Sequence, residues 1–108
     1  MEIINFKKIK YIYTHIYIYI FFMEVMIDGY IVKAPSRRIN KKYDVYKNNK
    51  YLFSYGDLRY EHYKDRIGYY SDLDHMDTKR RKLYRIRHQH DHIDNPNFPG
   101  YWSYHLLW

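Results

Sequence analysis

Histidine and aspartate crowd one short stretch of the chain. His88, His90, Asp91, His92 and Asp94 lie within seven residues of one another, and His75 stands upstream. Imidazoles and carboxylates are ligands for divalent metals, and a metal held this way activates water for hydrolysis. The spacing works against one shared ion. On a helix, alternate residues are about 200° apart, so His88, His90 and His92 converge only if this stretch is extended. No His-Glu-x-x-His, phosphate-binding glycine loop or nucleophile elbow occurs. The residues therefore assign no catalytic group, no metal ligand and no cofactor. A metal-dependent hydrolase or nuclease using His75 and the 88–92 region stands as the alternative reading.

A second chemistry is offered by the basic run that precedes the histidines. Arg80, Arg81, Lys82 and Arg85, with Tyr84 among them, are the candidate nucleic-acid-binding residues. Guanidinium and ammonium groups neutralise phosphates and gain affinity from released counterions, without reading bases. The chain as a whole carries a formal charge of +7 and a pI near 9.5, which attracts polyanions. Nothing resembles a zinc finger, a helix-turn-helix or an RNA-recognition sheet signature, so sequence-specific binding is not expected. The competing reading is a solvated helix whose charges merely match its dipole.

These groups need elements to hold them. Asp77 with Thr78 opens a helix carrying the basic run. On it Leu83, Ile86 and His90 share a face expected to pack, and Arg81, Arg85 and His88 share the opposite, outward face. Asp72, Asp74 and Asp77 sit at its N-terminus, where negative charge is favoured. An earlier helix is expected over Leu58–Ile67, capped by Asp57 and stopped by Gly68, with Tyr60, Tyr63 and Ile67 as its apolar stripe. His75 is read as tying the intervening turn to the helix ends.

Ahead of these helices, Tyr43–Lys47 and Lys50–Tyr55 flank Asn48 and Asn49. Paired asparagines tolerate the positive φ of a two-residue hairpin turn. That register sets Tyr46 opposite Tyr51 and Val45 opposite Leu52. Tyr30–Lys33 is a further short strand, closed by Pro35, and Ser36–Lys42 is a basic link. At the other end, Tyr101, Trp102, Tyr104, Leu106 and Trp108 are too apolar for a frayed tail. They are expected to clamp onto the hairpin and helices, each buried ring contributing roughly 1.5–3 kcal/mol. A partner-binding anchor is the alternative.

The first 25 residues stand apart. Ile12–Phe22 alternates β-branched and aromatic residues, a strand pattern that exposure would make aggregation-prone. The run falls short of the roughly 18 apolar residues of a membrane helix and has no small-residue cleavage site. No membrane partner or secretion is expected. The string also translates a TA-type dinucleotide repeat, so residues 1–25 are read as a spurious or disordered extension, with initiation at Met23 or Met26. Without residues 1–22 the charge falls from +7 to +5, since three lysines and one glutamate go.

Residues 26–108 are then one small, basic, tyrosine-rich domain. The 16 tyrosines of the whole chain suggest rings packed near the surface with wet hydroxyls. The absence of cysteine excludes disulfide and thiolate-zinc frameworks and fits a reducing compartment. The fold class is α+β: a β-hairpin or three-stranded meander, two short helices and an aromatic C-terminal clamp.

Several strings carry a resemblance. They are Tyr43-Asp44-Val45-Tyr46, Gly56-Asp57, Tyr60-Glu61-His62-Tyr63-Lys64-Asp65, Gly68-Tyr69-Tyr70-Ser71-Asp72-Leu73-Asp74-His75, Arg80-Arg81, Arg87-His88 and the final Leu107-Trp108. In combination the chain resembles a small uncharacterised family encoded by nucleocytoplasmic large DNA viruses and some large phages. The similarity covers most of Asp28–Trp108 and leaves Met1–Val25 unmatched. The family pattern has phenylalanine where Tyr55 stands, and it supports Arg87-His88 but not His90 or His92. The resemblance implies a viral origin and a place in the virion or the infected cell, without naming an activity. Joined to the charge, it gives the functional expectation of a non-enzymatic structural protein contacting nucleic acid or other virion proteins non-specifically.

Overall fold

The computed structural model describes residues 3–13 and 18–108, with side chains described from Phe22 onward. Its described strands form one antiparallel meander in sequence order: β1 (Ile3–Tyr13), β2 (Ile18–Ile27), β3 (Tyr30–Ala34), β4 (Lys41–Lys47) and β5 (Lys50–Asp57). Two helices follow, α1 (Thr78–Arg87) and α2 (Pro99–Leu106), with a short 3-10 turn at Ser71–Leu73 between β5 and α1.

Tight turns set the sheet. Asp28 and Gly29 take positive φ between β2 and β3, and Asn48 and Asn49 do so between β4 and β5. Tyr46 pairs with Tyr51 as the asparagine turn demands, but Val45 pairs with Phe53 and not Leu52. A bulge between Val45 and Tyr46 absorbs the extra residue.

One sheet face makes the core. Alternate residues Met23, Val25 and Ile27 of β2, Tyr30, Val32 and Ala34 of β3, Tyr43 and Val45 of β4 and Tyr55 of β5 are buried on it. The boundary expected at residue 26 thus falls inside β2, whose Met23 and Val25 belong to the core. Residues 14–17 of the alternating run lie outside the described residues.

The C-terminal clamp is α2 itself. Trp102, Leu106 and Leu107 are buried in the same core, and Trp102 meets the rings of Tyr30 and Tyr55 at 5.3 and 6.1 Å. Its indole N–H is satisfied by the Pro96 carbonyl at 2.8 Å. Tyr43 and Tyr55 depart from the expectation of wet hydroxyls, since both rings are fully buried and stacked 5.2 Å apart. Burial pushes both phenols well above their ordinary pKa, and Tyr43 donates to the buried Asp65 carboxylate.

The helix expected over Leu58–Ile67 does not form. Asp57 caps only a turn, accepting from the Arg59 amide at 2.9 Å, and the chain then runs irregularly. Its main chain bonds to residues far along the sequence instead. His62 pairs with Leu73 and His75, Tyr63 with Met76, and Lys64 and Arg66 with Leu107 and Leu106. Buried partners for His62 and Asp65 override local helix propensity. The second helix of the fold is α2, formed by residues expected only to clamp. Among the described residues, no helix is long and apolar enough to cross a membrane.

Candidate functional site: a basic cleft beside helix α1

Helix α1 begins where expected, its N-terminal amides of Lys79 and Arg80 donating to Asp77 Oδ1 at 3.0 and 3.2 Å. Its faces are the reverse of the expected ones. Leu83 and Ile86 are 48% and 52% exposed, whereas Arg81, Tyr84, Arg85 and His88 turn toward the protein. The reason lies in what α1 packs on. The tail offers main-chain oxygens and ring faces, which suit guanidinium groups better than aliphatic ones. Arg81 Nε donates to the Trp108 main-chain oxygen at 2.7 Å, and its guanidinium lies 5.0 Å from the Tyr63 ring centre. Arg85 donates to the Tyr104 carbonyl at 3.3 Å and lies 3.8 Å over the Tyr104 ring.

The four candidate binding residues are consequently divided. Arg80 lines a cleft of about 490 Å³ between the start of α1, the ends of β4 and β5 and the end of α2. Arg81, Lys82 and Arg85 line a separate groove of about 380 Å³ on the other flank of α1, with Tyr104. Two of those three are already engaged in holding the tail.

The larger cleft gathers residues that the sequence reading did not join. Lys41, Arg80 and Arg87 supply positive charge, the buried Lys42 forms part of the wall, and Asp57 and Glu61 oppose the cations. Both acids are already matched, Asp57 by Arg59 at 2.7 Å and Glu61 by Arg80 at 3.3 Å. One wall is a column of rings. His75 lies 5.2 Å from Trp108, Trp108 stacks on Tyr84 at 4.2 Å and 6°, and Tyr84 stacks on His88 at 4.2 Å. Burial pushes the Tyr84 phenol up to about 12. The column ends at His88, which is held by Asp91 Oδ2 at 2.5 Å from Nδ1. Among the described residues, Tyr84 is the ring that stacks on His88, whose side chain is 38% exposed. Tyr60 projects from the lip, mostly exposed.

Beneath the cleft lies a buried polar chain. Lys42 Nζ donates to the Tyr60 carbonyl at 3.0 Å and sits 2.8 Å from His62 Nδ1. His62 Nε2 is 2.6 Å from Asp74 Oδ1, which also accepts from the Asp65 amide at 2.8 Å. The carboxylate can only accept, so Nε2 carries the imidazole proton and Nδ1 receives the one from Lys42. Lys42 is 2% and His62 1% exposed. Burial brings the Lys42 amine down to about 8, opposed by the charges of Asp65, Asp57 and Asp74. Burial, then the neighbouring Lys42 charge, holds the His62 pKa below its ordinary value. The sequence reading puts Lys42 in the basic link Ser36–Lys42, whereas it is the second residue of β4 and is buried.

The histidine cluster disperses. His88 faces the cleft, His90 is exposed, and His92 turns at positive φ to stack on Phe98 at 4.0 Å. His75 meets the rings of Trp108 and Tyr63, and its Nδ1 accepts from the Asp77 amide. Among the described residues, no three His, Asp or Glu side chains are placed to hold a metal ion.

Compared with protein-family models, curated proteins and solved structures, the chain matches none of them.

Proposed function

We propose that this chain is a small, non-enzymatic structural protein that binds nucleic acid non-specifically, as a single strand lying in the cleft beside α1. The observation that carries this reading is the basic cleft walled by a ring column that stops at His88. A base continuing the column would stack on the side of His88 away from Tyr84, and the sugar-phosphate chain would pass Lys41 and Arg87. Cationic grooves with stackable rings are what sequence-tolerant single-strand binding requires. Arg80 helps less than its charge implies because Glu61 already answers it. Lys82, exposed on the opposite flank, adds a peripheral phosphate contact. A setting in a virion or infected cell, in packaging or in virion structure, is part of this proposal and is supported by the sequence resemblance to proteins of large DNA viruses alone. A metal-dependent hydrolase has no observation in its favour, since its candidate ligands are dispersed.

The test is the salt dependence of affinity for unrelated single-stranded oligonucleotides. Lys41→Gln and Arg87→Gln should each weaken binding similarly for all sequences. Each should also flatten the slope of log affinity against log salt by about 0.7. Unchanged slopes would remove the cleft from the account. Absence of any binding at physiological salt would leave another virion protein as the partner of this basic face.

A further inference from the structure

The buried amine of Lys42 has no part in phosphate neutralisation as described, and its surroundings differ from those of an ordinary structural lysine. The side chain crosses β5 at Gly56, where an added Cβ would lie 2.9 Å from Lys42 Cδ. Gly56 therefore lets the stem pass, and Lys42 is one of the walls of the cleft. The amine has two hydrogen-bond acceptors among the described residues, the Tyr60 carbonyl and His62 Nδ1. A neutral amine has two hydrogens, so both are occupied and the nitrogen lone pair is left over. Asp74 fixes the imidazole so that Nδ1, not an N–H, faces the amine. Those are the features of an activated nucleophilic lysine: shielding from water, a fixed orientation and a proton acceptor in contact.

We propose that Lys42 Nζ captures a small phosphate-bearing aldehyde in the cleft as a reversible imine, with Lys41 and Arg87 receiving the phosphate. The amine lone pair adds to the carbonyl carbon. The nitrogen loses one proton, through His62 Nδ1, and the carbonyl oxygen gains one to give a carbinolamine. The second nitrogen proton and the hydroxyl then leave as water. Amine plus aldehyde gives imine plus water, with no change of oxidation state. Lys42 is the reacting group; His62 and Asp74 are positioning residues. Burial favours the neutral amine, against Asp65, Asp57 and Asp74, whose charges favour the protonated one. The same chemistry fits a free sugar phosphate or the ring-opened aldehyde of an abasic site in DNA.

The capture is independent of nucleic-acid affinity, so the two readings fail separately. The experiment uses the unaltered chain with glycolaldehyde phosphate and cyanoborohydride at pH 7, followed by peptide mapping of all eleven lysines. A parallel arm uses a single-stranded oligonucleotide with one abasic site. Lys42 should be reduced to a stable adduct at least about tenfold faster than any other lysine, because its neutral share at this pH is more than about a hundredfold larger, while its burial slows the approach of the aldehyde. Inorganic phosphate should slow the reaction, and urea should abolish the preference. Labelling by glycolaldehyde phosphate alone assigns a free sugar phosphate, and labelling by the oligonucleotide assigns DNA. Labelling that favours exposed lysines such as Lys47 and Lys50, or that spares Lys42 in both arms, overturns the proposal.

Discussion

Arg81 on helix α1 donates its Nε hydrogen to the main-chain oxygen of Trp108 at 2.7 Å, while Trp108 stacks on Tyr84, three residues further along the helix. A single turn of α1 thereby fixes both the position of the last ring and the wall of the cleft. The basic helix is a structural strut on this side, its Arg81 and Arg85 both bonded to the tail.

The first prediction follows from that inversion. Arg81→Gln and Arg85→Gln should each destabilise the fold by about 1–3 kcal/mol, since a charged hydrogen bond and a ring contact are lost together. Leu83→Gln and Ile86→Gln, on the exposed face, should stay within about 0.5 kcal/mol of the parent. Urea melts of the four variants decide it. Arginine variants that match the parent, with leucine and isoleucine variants that fall, would restore the opposite facing of α1.

The sequence made some of this legible and not the rest, for physical reasons. Turn chemistry is local, so Asp77 and the paired asparagines were readable from a few residues. The tail's rings were readable because nothing else explains so much apolar area so close together. The facing of α1 was not readable, because periodicity assumes that aliphatic residues pack and arginines do not. Here the packing partner is made of carbonyls and aromatic faces. The stretch 58–67 was misread because its helical stripe of Tyr60, Tyr63 and Ile67 is only a spacing. What decides the conformation is the distant pairing of His62 with Lys42 and Asp74 and of Asp65 with Tyr43. The cleft, built from four separated segments, has no local signature at all.

A second prediction concerns Gly56, whose φ of +77° disfavours any side chain. Gly56→Ala adds strain of about 1–2 kcal/mol from the left-handed backbone. It also presses a methyl against Lys42 and Leu107, both within 3.0 Å. The expected outcome is a lower melting temperature together with a displaced Lys42, read as loss of its distinct titration by NMR. A Gly56→Ala protein that melts like the parent would show that Lys42 does not cross β5 there.

The third prediction is a pH dependence. Unfolded, the Lys42 amine holds its proton to about 10.5; folded, only to about 8. Between these values the unfolded chain binds more protons, so the Lys42 contribution to stability rises with pH across that window. His62 lies below its ordinary 6.5 when folded, facing Lys42, Asp65 and Asp74. Its contribution is complete above 6.5 and is lost as pH falls through its folded value. Tyr43, Tyr55 and Tyr70 are raised above 10 by burial, so they oppose the Lys42 gain above that pH. Comparison with Lys42→Met cancels the tyrosines. The stability difference between the two proteins should be flat from pH 7 to about 8, then grow in favour of the parent toward 10.5. A difference that stays constant to pH 10.5 would mean that the amine is not buried as described.

The claim that the cleft beside α1 is where nucleic acid lies is tested most directly by NMR titration of the labelled protein with a single-stranded oligonucleotide. The account predicts shifts concentrated at the Lys41, Gly56 and Arg87 amides, the His88 imidazole and the Trp108 indole. The Leu83 and Ile86 methyls, on the outer face, should stay still. Shifts confined to Leu83, Ile86 and Lys82, or to Tyr46 and Tyr51 on the sheet, with the cleft signals unmoved, would contradict it.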